Sequence, residues 1–161
     1  TCTLLRHSND QLDIHSKKRI HFLLEQTIPD IKIPTTNEEQ TNPVEADAVY
    51  ESCTRYLISK TRDTDKYSLL FKENTNYGFR RNLWGMKSWA LTIIIACLLT
   101  HCAVLIKNLS SITLLKPIDW LLLVTFFILI LFWLFVVNRE WIKTTAIAYA
   151  ERLYETLNEK I

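Results

Sequence analysis

Two long apolar runs dominate the hydrophobic pattern in the second half of the chain. The first extends from Trp89 to Ile106 and the second from Trp120 to Val137, and neither contains a charged residue. A helix of about 18 residues spans ~27 Å, close to the ~30 Å hydrocarbon core of a bilayer. The pattern therefore predicts a transmembrane helical hairpin with spans at 89–106 and 120–137 and an external loop at 107–119.

Shorter amphipathic patterns precede the hairpin, in a polar region at 1–75. Residues 14–27 predict a helix that places Leu24 on its apolar face and Lys17 and His21 mostly off it. Residues 28–34 alternate apolar and polar positions around two prolines, which favours an extended segment. Residues 35–43 are polar throughout and are interpreted as a linker.

A stronger helix is predicted from Pro43 to Arg62. Proline is favoured in the first turn of a helix, where its missing N–H is not needed. Val49, Cys53 and Leu57 recur on one face, so this helix should pack against a partner surface. The two patterns together predict a small, mostly helical N-terminal domain at 1–75.

The segment just before the first span, residues 76–88, combines aromatic and basic residues with both glycines of the chain, Gly78 and Gly85. Aromatic rings and basic groups are enriched at the membrane interface. We therefore interpret 76–88 as an interfacial elbow in which the glycines allow a bend. Residues 138–161 contain no helix breaker, so the second span should continue directly into an amphipathic helix whose apolar stripe packs on the N-terminal domain or on a neighbouring subunit. The residues of this predicted stripe are Ile142, Ala146, Tyr149, Leu153 and Leu157.

The fold class expected is thus an all-α membrane protein, with a transmembrane hairpin, a helical N-terminal domain and a C-terminal helix. Basic residues are denser outside the hairpin, at Lys72, Arg80, Arg81, Lys87, Arg139, Lys143 and Arg152, than in the loop, which holds Lys107 and Lys116. The positive-inside rule then places both termini in the cytoplasm.

No catalytic motif is recognisable. P-loop, GxSxG, HExxH and CxxC patterns are all missing from the sequence, and the formal net charge of +2 does not by itself imply a nucleic-acid partner. The histidines outside the spans are interpreted as surface residues. The chain is therefore expected not to be an enzyme, and no cofactor or metal site is predicted.

The first span carries the polar groups of the hairpin. His101 lies well inside it, where an ionisable group is costly and usually faces a bundle interior or a partner. Thr92, Ala96 and Thr100 form a small, hydroxyl-bearing stripe that suits close helix packing or a water-lined path. The equally weighted alternative for His101 is a neutral ring that is bonded within one subunit or that reaches the outer interface.

The second span is almost wholly apolar. If the protein forms a pore, a dry constriction could come from Phe126, Phe127, Leu131 or Phe135. Contact of these residues with lipid alone is an interpretation of equal weight. Two helices cannot enclose a channel, so pore function requires a homo-oligomer of four or more copies.

Basic residues interleaved with aromatic ones are what a nucleotide or single-stranded nucleic acid would need. The competing interpretation is that they are solvated helix faces and lipid anchors. The candidate ligand-binding residues are Lys17, Lys18, Arg19, Arg55, Arg62, Arg80 and Arg81.

The segment NYGFRRNLWGMKSWAL, followed by two spans and by WIKTTAIAYAERLYETL, resembles small two-span membrane effectors of bacterial anti-phage defence. These are encoded beside nucleotidyltransferases. The resemblance is to the membrane effector of Hailong-type systems, and SLATT-type effectors are related in logic. The resemblance covers roughly the second half of the chain.

The resemblance implies a homo-oligomeric, tetrameric ion channel in the bacterial inner membrane, gated by a nucleotide or DNA oligomer made by the partner enzyme. In Hailong-type systems a DNA oligomer would hold the channel closed until infection, and opening would depolarise the membrane and abort the infection. One alternative is a non-conducting anchor or adaptor that tethers a cytosolic interaction domain. A membrane enzyme acting on lipid is disfavoured because no catalytic set is visible.

Overall fold

The computed structural model describes residues 2–108 and 116–158, and these residues are helical or irregular, with no β-strand among them. The predicted fold class is confirmed as far as an all-helical chain with two long apolar helices. The α-helices are α1 (Ile14–Thr27), α2 (Thr36–Thr41), α3 (Pro43–Lys60), α4 (Ser68–Asn108), α5 (Pro117–Leu131) and α6 (Arg139–Glu155). Most of the predicted loop at 107–119 lies outside the described residues.

The chain divides into two compact units. One, here called the helical domain, comprises Thr1–Tyr77 together with Thr144–Ile161, and the other, the hairpin unit, comprises Gly78–Lys143. The C-terminal helix therefore belongs largely to the same unit as the N-terminal residues. Of the two packing partners expected for it, the N-terminal domain is the one observed.

The core of the helical domain joins residues from both ends of the chain. A 3₁₀ turn at Cys2–Leu5 buries two leucines beneath α1, α3 and α6. Each buried leucine contributes about 1.5–3 kcal/mol by leaving water. The buried apolar side chains are Leu4, Leu5, Leu24, Ile28, Ile33, Ala46, Tyr50, Cys53, Leu57, Tyr67, Leu70, Ala150, Leu153, Tyr154 and Leu157.

The linker predicted at 35–43 is wrong over most of its length, because α2 forms there. Thr35 accepts a hydrogen bond from the Glu38 N–H while the Glu38 carboxylate accepts from the Thr35 N–H, which completes a capping box. Glu39, in the same turn, is buried. The Thr-x-x-Glu spacing was visible in the sequence, but the burial of Glu39 was not.

The bend expected at 76–88 is also wrong. These residues lie inside α4, which is helical over 41 residues, or roughly 60 Å at ~1.5 Å per residue. Neither Gly78 nor Gly85 has a positive φ. A glycine in a helix interior costs only about 1 kcal/mol relative to alanine. Continuous backbone hydrogen bonding on both sides of each glycine outweighs that cost, so the predicted first span is the C-terminal part of a longer helix.

A break separates the second span from the C-terminal helix, which contradicts the predicted continuation. After α5 the chain forms a π-helical turn at Phe132–Val136, and Val137 and Asn138 leave the helical conformation. The Asn138 side chain then accepts the Trp141 N–H at 2.9 Å and thereby caps α6. Asparagine is a favoured N-cap, so the signal for a new helix was present but was outweighed by the lack of glycine and proline.

Within α6 the buried side chains include Ala150, Leu153 and Tyr154, and Leu157 follows in the terminal turn. The predicted stripe included Leu153 and Leu157 but also Tyr149, which is only half-buried. The Thr54 and Tyr154 hydroxyls lie 3.2 Å apart and join α3 to α6. The C-terminal part of the stripe thus packs on the N-terminal core, which is one of the two packing partners that the sequence predicted.

Candidate membrane hairpin and ligand surfaces

Among the described residues, two helices are long and apolar enough to cross a membrane. The candidate spans are Ser68–Lys107 and Pro117–Val136. In each of them, no residue of the most apolar 18-residue segment is buried within the chain. The core helix of a soluble protein would bury most of such a segment. These apolar faces therefore require cover from lipid, from other subunits or from both.

His101 faces the second helix of its own hairpin. Its ring lies 6.3 Å from the Phe126 ring, and its Nε2 lies 4.0 Å from Asp119 Oδ1. The other carboxylate oxygen of Asp119 accepts the Lys116 N–H at 3.0 Å and helps to begin α5. Among the described residues His101 Nε2 is a buried atom that has no hydrogen-bond partner. The side chain thus occupies the interface within one chain, and its nitrogen is unsatisfied there.

The stripe of small residues lies on a different face of the same helix. Thr92, Ala96 and Thr100 are all exposed. The two hydroxyls donate to the carbonyls one turn earlier, at 2.9 Å from Ser88 O and 2.8 Å from Ala96 O. Consecutive residues differ by about 100° around a helix, so Thr100 and His101 point in different directions. The four residues predicted to act together are therefore split between two faces.

The candidate gate residues are also split. Phe127 and Phe135 are 62% and 70% exposed and Leu131 lies between them, so these three form one outward-facing ridge of the second span. Phe126 is the exception, because its ring packs against His101. A constriction built from the ridge would have to form between copies of the chain.

Basic residues near the ends of the apolar helices contact backbone and aromatic groups of the hairpin unit. The Lys87 ammonium donates to the carbonyls of Leu134 and Val137 at 3.1 and 2.8 Å. These carbonyls are released by the π-helical turn and the break after it, so Lys87 replaces the helical partners that they lack. Lys87 is thus a structural cap as well as a flanking charge.

Two arginines stack on tryptophans in the same region. Arg80 lies 4.7 Å from the Trp141 ring and donates to the Trp141 carbonyl at 2.8 Å, and Arg139 lies 5.7 Å from the Trp84 ring. Such cation–π contacts contribute about 0.5–1 kcal/mol at exposed sites. Arg80, a predicted ligand residue, is therefore already engaged by the protein, and its neighbour Arg81 is exposed but is not without a partner.

The basic residues predicted on α1 do not act as one group. Lys17 is buried, and its ammonium donates to the carbonyls of His7 and Asn9. Lys18 and Arg19 are exposed, and Arg19 lines a shallow cavity together with Glu151 and Glu155. Two carboxylates beside Arg19 disfavour an anion there. The triplet therefore divides into a structural lysine and two surface residues.

The remaining predicted ligand residues belong to α3 and to the chain just after it. Arg55 is exposed and forms an ion pair with Glu51 at 2.7 Å. Arg62 is exposed and lines a cavity with aromatic and polar side chains, which is described below. Within the helical domain, Arg19, Arg55 and Arg62 lie among different neighbours, so the basic residues predicted there do not form a single patch.

Sequence reasoning missed a buried polar network around Glu39. Its carboxylate accepts hydrogen bonds from the His7 N–H at 2.8 Å, from the Ser8 hydroxyl at 3.2 Å and from the Tyr50 hydroxyl at 2.8 Å. Burial tends to raise the pKa of Glu39, but the hydrogen bonds from His7, Tyr50 and Ser8 outweigh it and lower the pKa. The network attaches the N-terminal segment to α2 and α3.

His21 belongs to the same region and is a buried residue, which corrects its interpretation as a surface histidine. Its Nε2 lies 2.8 Å from the Leu5 carbonyl, and its ring contacts those of His7 and Tyr50. Burial is the main cause that lowers the pKa of His21, so the ring is neutral at pH 7. A neutral imidazole N–H can donate to the Leu5 carbonyl, which makes the role of His21 structural.

Comparisons with protein-family models, with curated proteins and with solved structures found no match for this chain. Within residues 2–108 and 116–158 there is also no group of three His, Cys, Asp or Glu side chains that could hold a metal ion. Function must therefore be argued from the two apolar helices and the domain that adjoins them.

Proposed function

We propose that this chain is a homo-oligomeric ion-channel effector of bacterial anti-phage defence. In this proposal four copies form a pore in the inner membrane, with both termini in the cytoplasm. A nucleotide or single-stranded DNA oligomer, made by a partner nucleotidyltransferase, gates the pore through the helical domain. Opening depolarises the membrane and aborts the infection, and the chain itself catalyses no reaction.

The observation that carries the proposal is the exposure of both apolar helices over their full spanning windows. A single hairpin cannot enclose a water-filled path, so conduction requires several copies. Thr92, Ala96 and Thr100 form the most polar exposed stripe of the first span. Small residues allow helices from different subunits to approach closely, and hydroxyl groups can line a wet path. We assign this stripe to the pore-facing side.

Chain continuity supports gating by the helical domain. Leu70, in the first turn of α4, and Leu153 of α6 are both buried in the domain core. The same α4 continues through residue 106 as the first span, and α6 follows the second span after Asn138. A change in the packing of α4 against α6 in the domain would therefore displace both helices that connect to the hairpin.

The direct test is ion flux. The purified chain is reconstituted into potassium-loaded liposomes, and release of potassium is measured with and without the partner enzyme's product. The proposal expects flux that the product alters, together with a tetrameric mass in detergent. A correctly inserted chain that carries no flux in either condition would contradict it.

Cysteine labelling tests the assignment of the pore face. In a background with Cys2→Ser, Cys97→Ser and Cys102→Ser, a charged thiol reagent should block flux through Thr100→Cys. The matched control is Leu99→Cys, because Leu99 is 65% exposed but lies about 100° away on the helix. Equal inhibition at both positions, or no inhibition at Thr100→Cys, would refute the assignment of the stripe to the pore.

The second candidate is a non-conducting anchor or adaptor. One observation favours it: apart from Thr125, whose hydroxyl donates to the Leu121 carbonyl, the exposed side chains of the second span, including Phe127 and Phe135, are apolar, as expected for helices that only contact lipid. Replacing 89–137 by an unrelated two-span segment separates the two functions. An adaptor should keep its defence activity after the exchange, whereas a channel should lose it.

A further inference from the structure

A cavity of about 370 Å³ in the helical domain differs from the others in its chemistry. It lies where the chain leaves α3, and it is lined there by Arg62, by Phe71 and Asn74 of α4, and by Tyr149 of α6. Its volume falls within the range of small-ligand sites. No Asp or Glu side chain lines it, in contrast to the cavity beside Arg19.

Two polar side chains that line this cavity are available to hydrogen-bond with a ligand. Among the described residues, neither the Arg62 guanidinium nor the Asn74 amide has an ion-pair or hydrogen-bond partner. Arginine presents a planar fork of donors that matches a phosphate, and an amide presents both a donor and acceptors. A ligand that carries both a phosphate and a heterocyclic ring with polar edge atoms could hydrogen-bond to both side chains.

Aromatic surface completes the site. Phe71 is 54% exposed although it is a large apolar side chain. Tyr149 is half-buried and stacks on Tyr77 of α4, with ring planes 3° apart and centroids 6.4 Å apart. Stacking of a nucleobase on an aromatic side chain contributes about 1–3 kcal/mol. The rings therefore provide a surface for a flat heterocycle beside the guanidinium.

We propose that this cavity binds one nucleotide unit, with its phosphate on Arg62, its base against Phe71 and Tyr149, and a base edge on Asn74. This proposal rests on the function proposed above and assigns the ligand's site. Because Phe71 and Asn74 belong to α4 and Tyr149 belongs to α6, the ligand would bridge the two helices that adjoin the hairpin. The unit could come from a free nucleotide or from a single strand, since both carry the same groups.

Calorimetric titration of the full chain in detergent tests the site and its source. The probes are deoxyadenosine 5′-monophosphate, a short oligodeoxyadenylate, deoxyadenosine and inorganic phosphate. We expect one or both of the first two to bind at least about tenfold more tightly than the last two, because the site needs both the ring and the anion. Tighter binding of the oligodeoxyadenylate identifies a strand as the source, and tighter binding of the monophosphate identifies a free nucleotide.

Matched substitutions locate the binding. Arg62→Gln should weaken binding about tenfold or more, whereas Arg55→Gln, on an exposed arginine that does not line the cavity, should leave it unchanged. Phe71→Leu removes an exposed ring and should weaken binding by about fivefold or more. Its control is Phe22→Leu, because Phe22 is 59% exposed on α1 and lies outside the cavity.

Because Arg62 and Phe71 are exposed, these variants should fold, and unchanged circular dichroism checks this. Absence of binding by all four probes, or equal effects of Arg62→Gln and Arg55→Gln, would overturn the site. Potassium flux from liposomes is measured on the same preparations. Binding without flux would refute the channel and keep the site, whereas flux without binding would refute the site alone.

Discussion

The hydrogen bonds around Glu39 give the sharpest quantitative prediction for the helical domain. Glu39→Gln keeps the size of the side chain but replaces one acceptor oxygen with an amide that can only donate. The native carboxylate accepts from His7, Ser8 and Tyr50, with the His7 and Tyr50 bonds both at 2.8 Å. At least one of these donors must lose its partner in the variant.

The expected loss follows from the chemistry of those bonds. A hydrogen bond to a charged group contributes about 1.5–3 kcal/mol, and a buried donor left unsatisfied carries its own desolvation penalty. Glu39→Gln should therefore destabilise the attachment of the N-terminal segment by about 2 kcal/mol. Since every 1.4 kcal/mol is a factor of ten, this corresponds to a roughly 30-fold loss of protection.

Amide hydrogen exchange measures this locally, on the peptide that contains His7 and Ser8, in the detergent-solubilised chain. The control is Glu51→Gln, which removes an exposed ion pair with Arg55 and should change protection less than about threefold. If protection of the His7 peptide were the same in the Glu39→Gln and Glu51→Gln variants, the reasoning would be refuted.

The same network predicts a pH dependence. The pKa of Glu39 is lowered in the folded chain from an ordinary value of 4.5. Its contribution is therefore fully present above about pH 4.5 and is lost as the pH falls through the lowered pKa. After correction for intrinsic exchange, the protection of the His7 peptide should decline in that acid range in the wild type. In Glu39→Gln this part of the decline should disappear.

Three further predictions concern the hairpin and the cysteines. His101→Phe removes a buried nitrogen that has no hydrogen-bond partner among the described residues, so the melting temperature in detergent should rise. A lower melting temperature would contradict this and would show that Asp119 or another subunit forms a bond with the His101 nitrogen. Lys87→Met should lower the stability of the hairpin by about 2 kcal/mol by thermal melting, and Lys87→Arg should recover most of it, because a cation caps two free carbonyls there. Burial raises the pKa of Cys53 to about 11, so its thiol should resist iodoacetamide at pH 8 while the partly exposed Cys2 reacts, and equal labelling in the native chain would contradict the buried position.

The sequence determined those features that depend on neighbouring residues alone. The bounds of α1, at Ile14–Thr27, match the prediction, because hydrophobic periodicity and the extended Pro-containing segment after it are local signals. The beginning of α3 at Pro43 and the two apolar helices follow for the same reason. Length without charge is sufficient to predict a span, since it needs no information about a packing partner.

Tertiary structure decided which polar groups are structural. The residues next to Lys17, His21 and Glu39 in the sequence do not mark these side chains as buried, and only the folded domain brings carbonyl, aromatic and amide partners to them. No local pattern encodes these pairings, since the partners of Glu39 lie 11 to 32 residues away along the chain.

Tertiary structure also decided where helices continue and where they stop. The cost of Gly78 and Gly85 is outweighed by the long helix on both sides, so α4 passes through the predicted elbow. The break at Val137 and Asn138 is stabilised by Lys87, about 50 residues earlier, because its ammonium donates to carbonyls that the break releases. A helix end is stable only when its free backbone groups find partners, and at this break the partner of the Leu134 and Val137 carbonyls comes from a distant part of the sequence, whereas Asn138 caps α6 locally.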